Sequence, residues 1–108
     1  MPHPVHDLQA CFALDPDSAS KTLLVKTSEL TMIYLSMAPG QGMPVHNHPG
    51  CTVAIQGMLG EATVQLNGEA QRLAPGNLLS FPGEWMVSPR NDSESSAAVL
   101  ITLASGGA

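Results

Sequence analysis

Nineteen of the 108 residues are glycine or proline, ten and nine respectively, and they are spread along the chain instead of gathered in one linker. Breakers so evenly placed act as punctuation between many short elements. They suit strands joined by tight turns every eight to twelve residues or so, and so an all-β domain. A second folded domain is excluded by length, since one domain takes about 150 residues.

The pattern between the breakers is that of strands. Residues 22–27 form an apolar run, and over 30–38 Met32, Tyr34 and Ser36 alternate with Ile33, Leu35 and Met37, the period of two that a pleated strand presents. Residues 51–55 are apolar and rich in β-branched side chains, while Ala62, Val64 and Leu66 alternate with polar neighbours as a half-buried strand does. Asn67-Gly68 is the strongest hairpin signal, because both central residues of a type I′ turn need positive φ. The return strand is 71–73, and further strands are expected at 78–81 and 97–104, with a solvated loop at 92–96. The segment 8–14 reads as a helical turn or an outlying strand. The organisation expected is an N-terminal arm over 1–21, a β domain over 22–104 and a flexible tail over 105–108. Six to nine such strands make a sandwich or a barrel.

Charge narrows the partners. Four Lys and Arg stand against nine Asp and Glu, a net charge of −5, so nothing draws the chain to a phosphate backbone or an anionic membrane, and nucleic acid is not an expected partner. Charged residues are only 12% of the chain, half the usual share, against 44% apolar. A surface so poor in charge, with the apolar run 99–103, implies cover by a second subunit, and a homodimer is expected. No leader pattern and no apolar run of membrane-spanning length occurs, so the expected location is the cytoplasm. Cys11 and Cys51 are too few for a disulfide scaffold and are expected as free thiols there.

One constellation suggests chemistry. On a strand, His46 and His48 would face the same way with Cα atoms roughly 6.5 to 7 Å apart, close enough for both imidazoles to approach one first-row metal ion. A solvated loop between Pro44 and Pro49 accommodates the same residues with no ligand. Cys51 is either a thiolate beside that pair or a small buried apolar side chain. His3 and His6, on the arm, are further candidate ligands or simply solvated.

The stretch Gly40-Gln-Gly-Met-Pro-Val-His46-Asn-His48, followed by Gly60, resembles the first motif of the cupin superfamily: Gly, five residues, His-x-His, three or four residues, Glu, six residues, Gly. The stretch Gly76-Asn-Leu-Leu-Ser-Phe-Pro82 resembles the start of the second motif, in which a His follows four or five residues later. The resemblance covers about residues 22–104 and implies a double-stranded β-helix, a jelly-roll barrel with its site inside. It also implies a divalent cofactor such as Fe, Ni, Zn or Mn, held by the two His of the first motif, its Glu and the later His. This chain departs there: the Glu position holds Thr52 or Val53, and the later His position aligns with Val87. The expectation is a barrel that takes a small organic ligand against Val53, Ile55, Trp85, Met86 and Val87, either around a weakly held divalent metal on His46, His48 and Cys51 or with no metal.

A second, shorter resemblance runs from His46 to Val53 and is similar to the thiol dioxygenases, cupins that hold Fe(II) with three His and no carboxylate. It accounts for a missing Glu and leaves the missing His at Val87 unexplained. No serine-nucleophile elbow, phosphate loop or plausible carboxylate pair occurs, and Glu61 and Glu69 fall at outward or hairpin positions. The aromatic side chains Phe12, Tyr34, Phe81 and Trp85 form no base-stacking platform, and the methionines read as core filling.

Overall fold

The computed structural model describes residues 5–105. Eight strands follow in chain order: β1 (Ser20–Lys26), β2 (Leu30–Met37), β3 (Cys51–Leu59), β4 (Ala62–Leu66), β5 (Glu69–Leu73), β6 (Leu78–Pro82), β7 (Val87–Arg90) and β8 (Ala97–Ser105). They form a five-stranded sheet in the order β1-β2-β8-β3-β6 and a three-stranded sheet in the order β5-β4-β7. All pairs are antiparallel. This is the double-stranded β-helix of a jelly roll. The expected hairpin closes β4 onto β5 with Asn67 at φ 49° and Gly68 at φ 84°, both in the left-handed region a type I′ turn requires. No helix among the described residues is long and apolar enough to cross a membrane.

The period-two pattern becomes the core. Directly paired residues share a sheet face, so the register Ile33↔Ile101↔Ile55 and Leu103↔Val53↔Phe81 sets these side chains on the inner face of the large sheet. Ala62, Val64, Leu66 and Val87 answer them from the small sheet, and most of this set is almost fully buried. Each such side chain contributes about 1.5–3 kcal/mol relative to leaving it in water. Strand β8 is buried on both faces over its first half because it lies between β2 and β3 and its outward side is also covered. The cover on that side comes from the N-terminal segment. A single 3₁₀ turn, Gln9–Cys11, leads into a stretch where the Ala13 N–H donates to Ser36 Oγ at 3.2 Å and Gln41 Nε2 donates to the Asp15 carbonyl at 2.6 Å. Burial and the nearby Cys11 thiol push the outward Tyr34 hydroxyl above its ordinary pKa.

Strand β7 has no counterpart among the strands expected from sequence, because Pro89 interrupts it. A proline costs a strand its N–H. Here the neighbour on that flank is a loop whose Met43 N–H reaches the Pro89 carbonyl at 2.9 Å, while the Met43 carbonyl takes its donor from the Ser88 hydroxyl instead of the missing proline N–H.

Candidate functional site

The loop between β2 and β3 crosses the open end of the barrel and carries both imidazoles. It is fastened along β7. Gly42 bridges Arg90, and His46 bridges Val87 through a reciprocal pair, His46 N–H to Val87 O at 3.0 Å and Val87 N–H to His46 O at 2.8 Å. The buried Ser88 hydroxyl donates to the Met43 carbonyl at 2.5 Å. Beyond His46 the loop is clamped to the turn after β6: the His48 N–H donates to Gly83 O, and the Gly83 N–H to Cys51 O, both at 2.7 Å. Only glycine fits at 83, since a Cβ there would lie 2.0 Å from the His48 carbonyl oxygen. Glu84 adds a further tie by accepting the Gly50 N–H at 2.9 Å, and that hydrogen bond holds its carboxyl below the usual carboxylate range.

His46 and His48 therefore meet through a loop and not through the pleat of a strand. Their ring centroids are 4.7 Å apart and their planes perpendicular. The His46 Nδ1 lies 2.7 Å from the Pro44 carbonyl, so this nitrogen carries the proton and donates it, leaving Nε2 with its lone pair. Burial first, and His46 second, lower the pKa of His48 below the ordinary histidine value, which keeps its ring neutral at pH 7.

Both rings open into a cavity of about 270 Å³. One wall is the inner face of the large sheet, with Ile33, Val53, Ile55, Ile101 and Leu103; the other is Met43, Val87 and Pro89. Lys21 completes the lining and, with the two imidazoles, is the polar part of it. Of the sequence candidates, the structure brings His46, His48, Val53, Ile55 and Val87 to this one cavity. It does not bring the others. Trp85 and Met86 sit exposed on the β6–β7 turn, ahead of the first residue of β7, and Trp85 stacks on Phe81 with centroids 6.4 Å apart. Cys51, the first residue of β3, lines a separate shallow depression with Thr52, Ser80, Pro82 and Glu84. His6 is exposed on the N-terminal segment, and His3 lies outside the described residues.

Sequence reasoning missed Lys21, Ile33, Met43, Pro89, Ile101 and Leu103. For Lys21 no local signal existed: pairing of β1 with β2 sets it opposite the buried Leu35, on the inner face. The expected arm, ending at residue 21, placed it outside the barrel.

The donor set does not fit a complete metal centre. Two imidazoles are the only nitrogen donors on the cavity wall apart from Lys21, and Val53 and Val87 present methyl groups. Among the described residues no three His, Cys, Asp or Glu side chains are grouped as a metal ion needs.

A family model described as a cupin domain matches residues 33–103. No curated protein matches the chain. Among solved structures, TT1209 from Thermus thermophilus is 26% identical and superposes with a TM-score of 0.89 over 95% of this chain and 98% of its own. An uncharacterised conserved protein with a double-stranded β-helix domain from Klebsiella pneumoniae is 18% identical, with a TM-score of 0.87 over 99% of this chain and 94% of its own. KdgF from Halomonas sp. is 20% identical, with a TM-score of 0.74 over 87% of this chain and 86% of its own. The two last establish likeness of fold.

Proposed function

Since the chain belongs to the cupin domain family and its barrel holds an apolar cavity, we propose that it binds a small organic molecule inside the barrel. The observation that carries this reading is the cavity itself: about 270 Å³, walled by Ile, Val, Leu and Met side chains, with its polar groups confined to Lys21 and the two imidazoles. Apolar walls with a few convergent polar groups are the usual make-up of a small-molecule site. At ~30 Å³ for each water-sized unit, the space takes a compound of on the order of ten non-hydrogen atoms. Pre-formed walls spare the protein the entropy of ordering them on binding. His46, with Nδ1 anchored on Pro44, keeps Nε2 available as an acceptor.

The test is a methyl-resolved NMR titration with hexanol, hexanoate and hexylamine. Saturable shifts at Val53, Ile55, Val87 and Ile101 with at least one probe, lost in Ile33→Phe, support the reading. A folded protein whose methyl signals stay fixed with all three refutes it.

Fe(II)-dependent thiol oxidation is the alternative suggested by the stretch from His46 to Val53. It needs a third imidazole where Val87 stands, and oxygen uptake above that of free Fe(II), saturable in an aminothiol, would establish it over the binding reading. We further propose that the protein works as a cytoplasmic homodimer, which sedimentation at micromolar concentration tests: a stable species near 11 kDa would refute the dimer.

A further inference from the structure

The cavity wall carries a charge asymmetry that runs against the chain as a whole. The protein has nine acidic and four basic side chains, yet no Asp or Glu lines the cavity and Lys21 does. Lys21 lies on β1, the edge strand of the large sheet, and its register with Leu35 turns it to the inner face. The small sheet has three strands against five, so β1 overhangs it and the lysine, though inward, remains exposed. A lysine so placed can lay its four-carbon stem on the apolar rim and keep its ammonium at the entrance. Among the described residues the salt bridge joins Arg90 to Asp92, and no described carboxylate pairs with Lys21.

Building on the proposal of a barrel ligand, we infer that the ligand is a small apolar carboxylate, its hydrocarbon part in the cavity and its carboxylate on the Lys21 ammonium and a His48 ring N–H. Three features set the class. One ammonium matches one negative charge, whereas a phosphate dianion calls for a guanidinium fork or a nest of backbone N–H groups, and no Arg lines the cavity. A cationic ligand would meet the ammonium with no acid to offset it. A neutral ligand of the same shape would gain the apolar contacts but no charge-assisted hydrogen bond from the ammonium. Size agrees, since about 270 Å³ holds a short hydrocarbon chain or a single ring together with the carboxylate.

Hexanoate, hexanol and hexylamine at 0.05 M salt separate this inference from the reading it rests on. Hexanoate is expected to bind about tenfold tighter than hexanol, as a charge-assisted hydrogen bond at a partly exposed site provides, and hexylamine weakest. In Lys21→Met the preference of hexanoate over hexanol should collapse to within about twofold, and Lys21→Arg should restore it. Lys26→Met, on the same strand but outside the cavity lining, should leave hexanoate binding unchanged. Raising salt to 0.5 M should weaken hexanoate and not hexanol. Equal binding of hexanoate and hexanol to the parent overturns the carboxylate while leaving the binding reading standing. So does a preference that survives in Lys21→Met. If none of the three probes binds the folded parent, both fall together.

Discussion

Gly83→Ala is the most demanding test of how the histidine loop is held. The alanine Cβ would stand 2.0 Å from the His48 carbonyl oxygen and 2.6 Å from that of Cys51, where ordinary contact begins at 3.4 Å, so one backbone must retreat by about 1.4 Å from the other. Both atoms are main chain, and no side-chain rotation relieves the overlap. Such a shift breaks the two 2.7 Å hydrogen bonds of the clamp, His48 N–H to Gly83 O and Gly83 N–H to Cys51 O. At about 1 kcal/mol net for each bond and about 1–3 kcal/mol for the steric insertion, the cost is ~3–5 kcal/mol, a large share of the roughly 5–15 kcal/mol that holds a domain of this size. Urea unfolding should register it as a lowered midpoint with an unchanged slope, and the thermal midpoint should fall by about 12–25 °C. The control is Gly50→Ala in the same loop: φ is +83° there and nothing lies within 4 Å of the added Cβ, so only left-handed strain of about 1–2 kcal/mol applies. Imidazole NMR signals of His48 should move in the first variant far more than in the second. Equal losses in the two variants, or an unmoved His48 in Gly83→Ala, would refute the steric argument.

Val53→Glu with Val87→His tests whether these cavity positions face the two imidazoles; Ni(II) affinity should rise at least about 100-fold by calorimetry, and a folded variant binding no tighter would show that they do not. The His48 imidazole should titrate below its ordinary pKa of 6.5, and His46→Gln should raise it partway. A depressed folded-state pKa means that the unfolded chain takes up the proton first, so stability is full above the unfolded value and is lost as pH falls through the folded one; a pH series of unfolding midpoints, flattened in His48→Gln, checks the sign. Asn91→Ala should cost about 2–4 kcal/mol in urea unfolding, because this buried side chain donates to the Met37 and Ser95 carbonyls and accepts the Ser93 N–H and hydroxyl, and removal takes a donor from each carbonyl and the acceptor from the Ser93 N–H.

Periodicity made much of this molecule legible. Alternation over β2 and β4 and the Asn67-Gly68 turn are local signals, and local geometry decides them. The His46-x-His48 spacing drew attention to the right loop, although a strand was the assumed carrier. What could not be read depends on partners distant in sequence. Strand β7 forms by pairing with β4, and its proline is tolerated because the flank it turns to is the loop from Gly42 to His46. Lys21 faces inward because of its register with Leu35. Trp85 and Met86 lie outside the cavity because β7 begins only at Val87 and the two precede it on an exposed turn.

The fastening of the histidine loop also sets how often the barrel opens. Between Pro44 and Gly50, five hydrogen bonds from main-chain N–H groups tie it across the entrance, two between His46 and Val87, two at the Gly83 clamp and one from the Gly50 N–H to Glu84, and Val45 among them is 62% exposed. Prolines at 44 and 49 stiffen the segment, so it would lift as one flap. At about 1 kcal/mol net for each bond, lifting it costs ~5 kcal/mol, which leaves roughly one molecule in several thousand ajar at any instant. A ligand that enters only through the lifted flap would associate on the order of a thousandfold or more slower than unhindered encounter allows and, once inside, would leave on the flap's schedule.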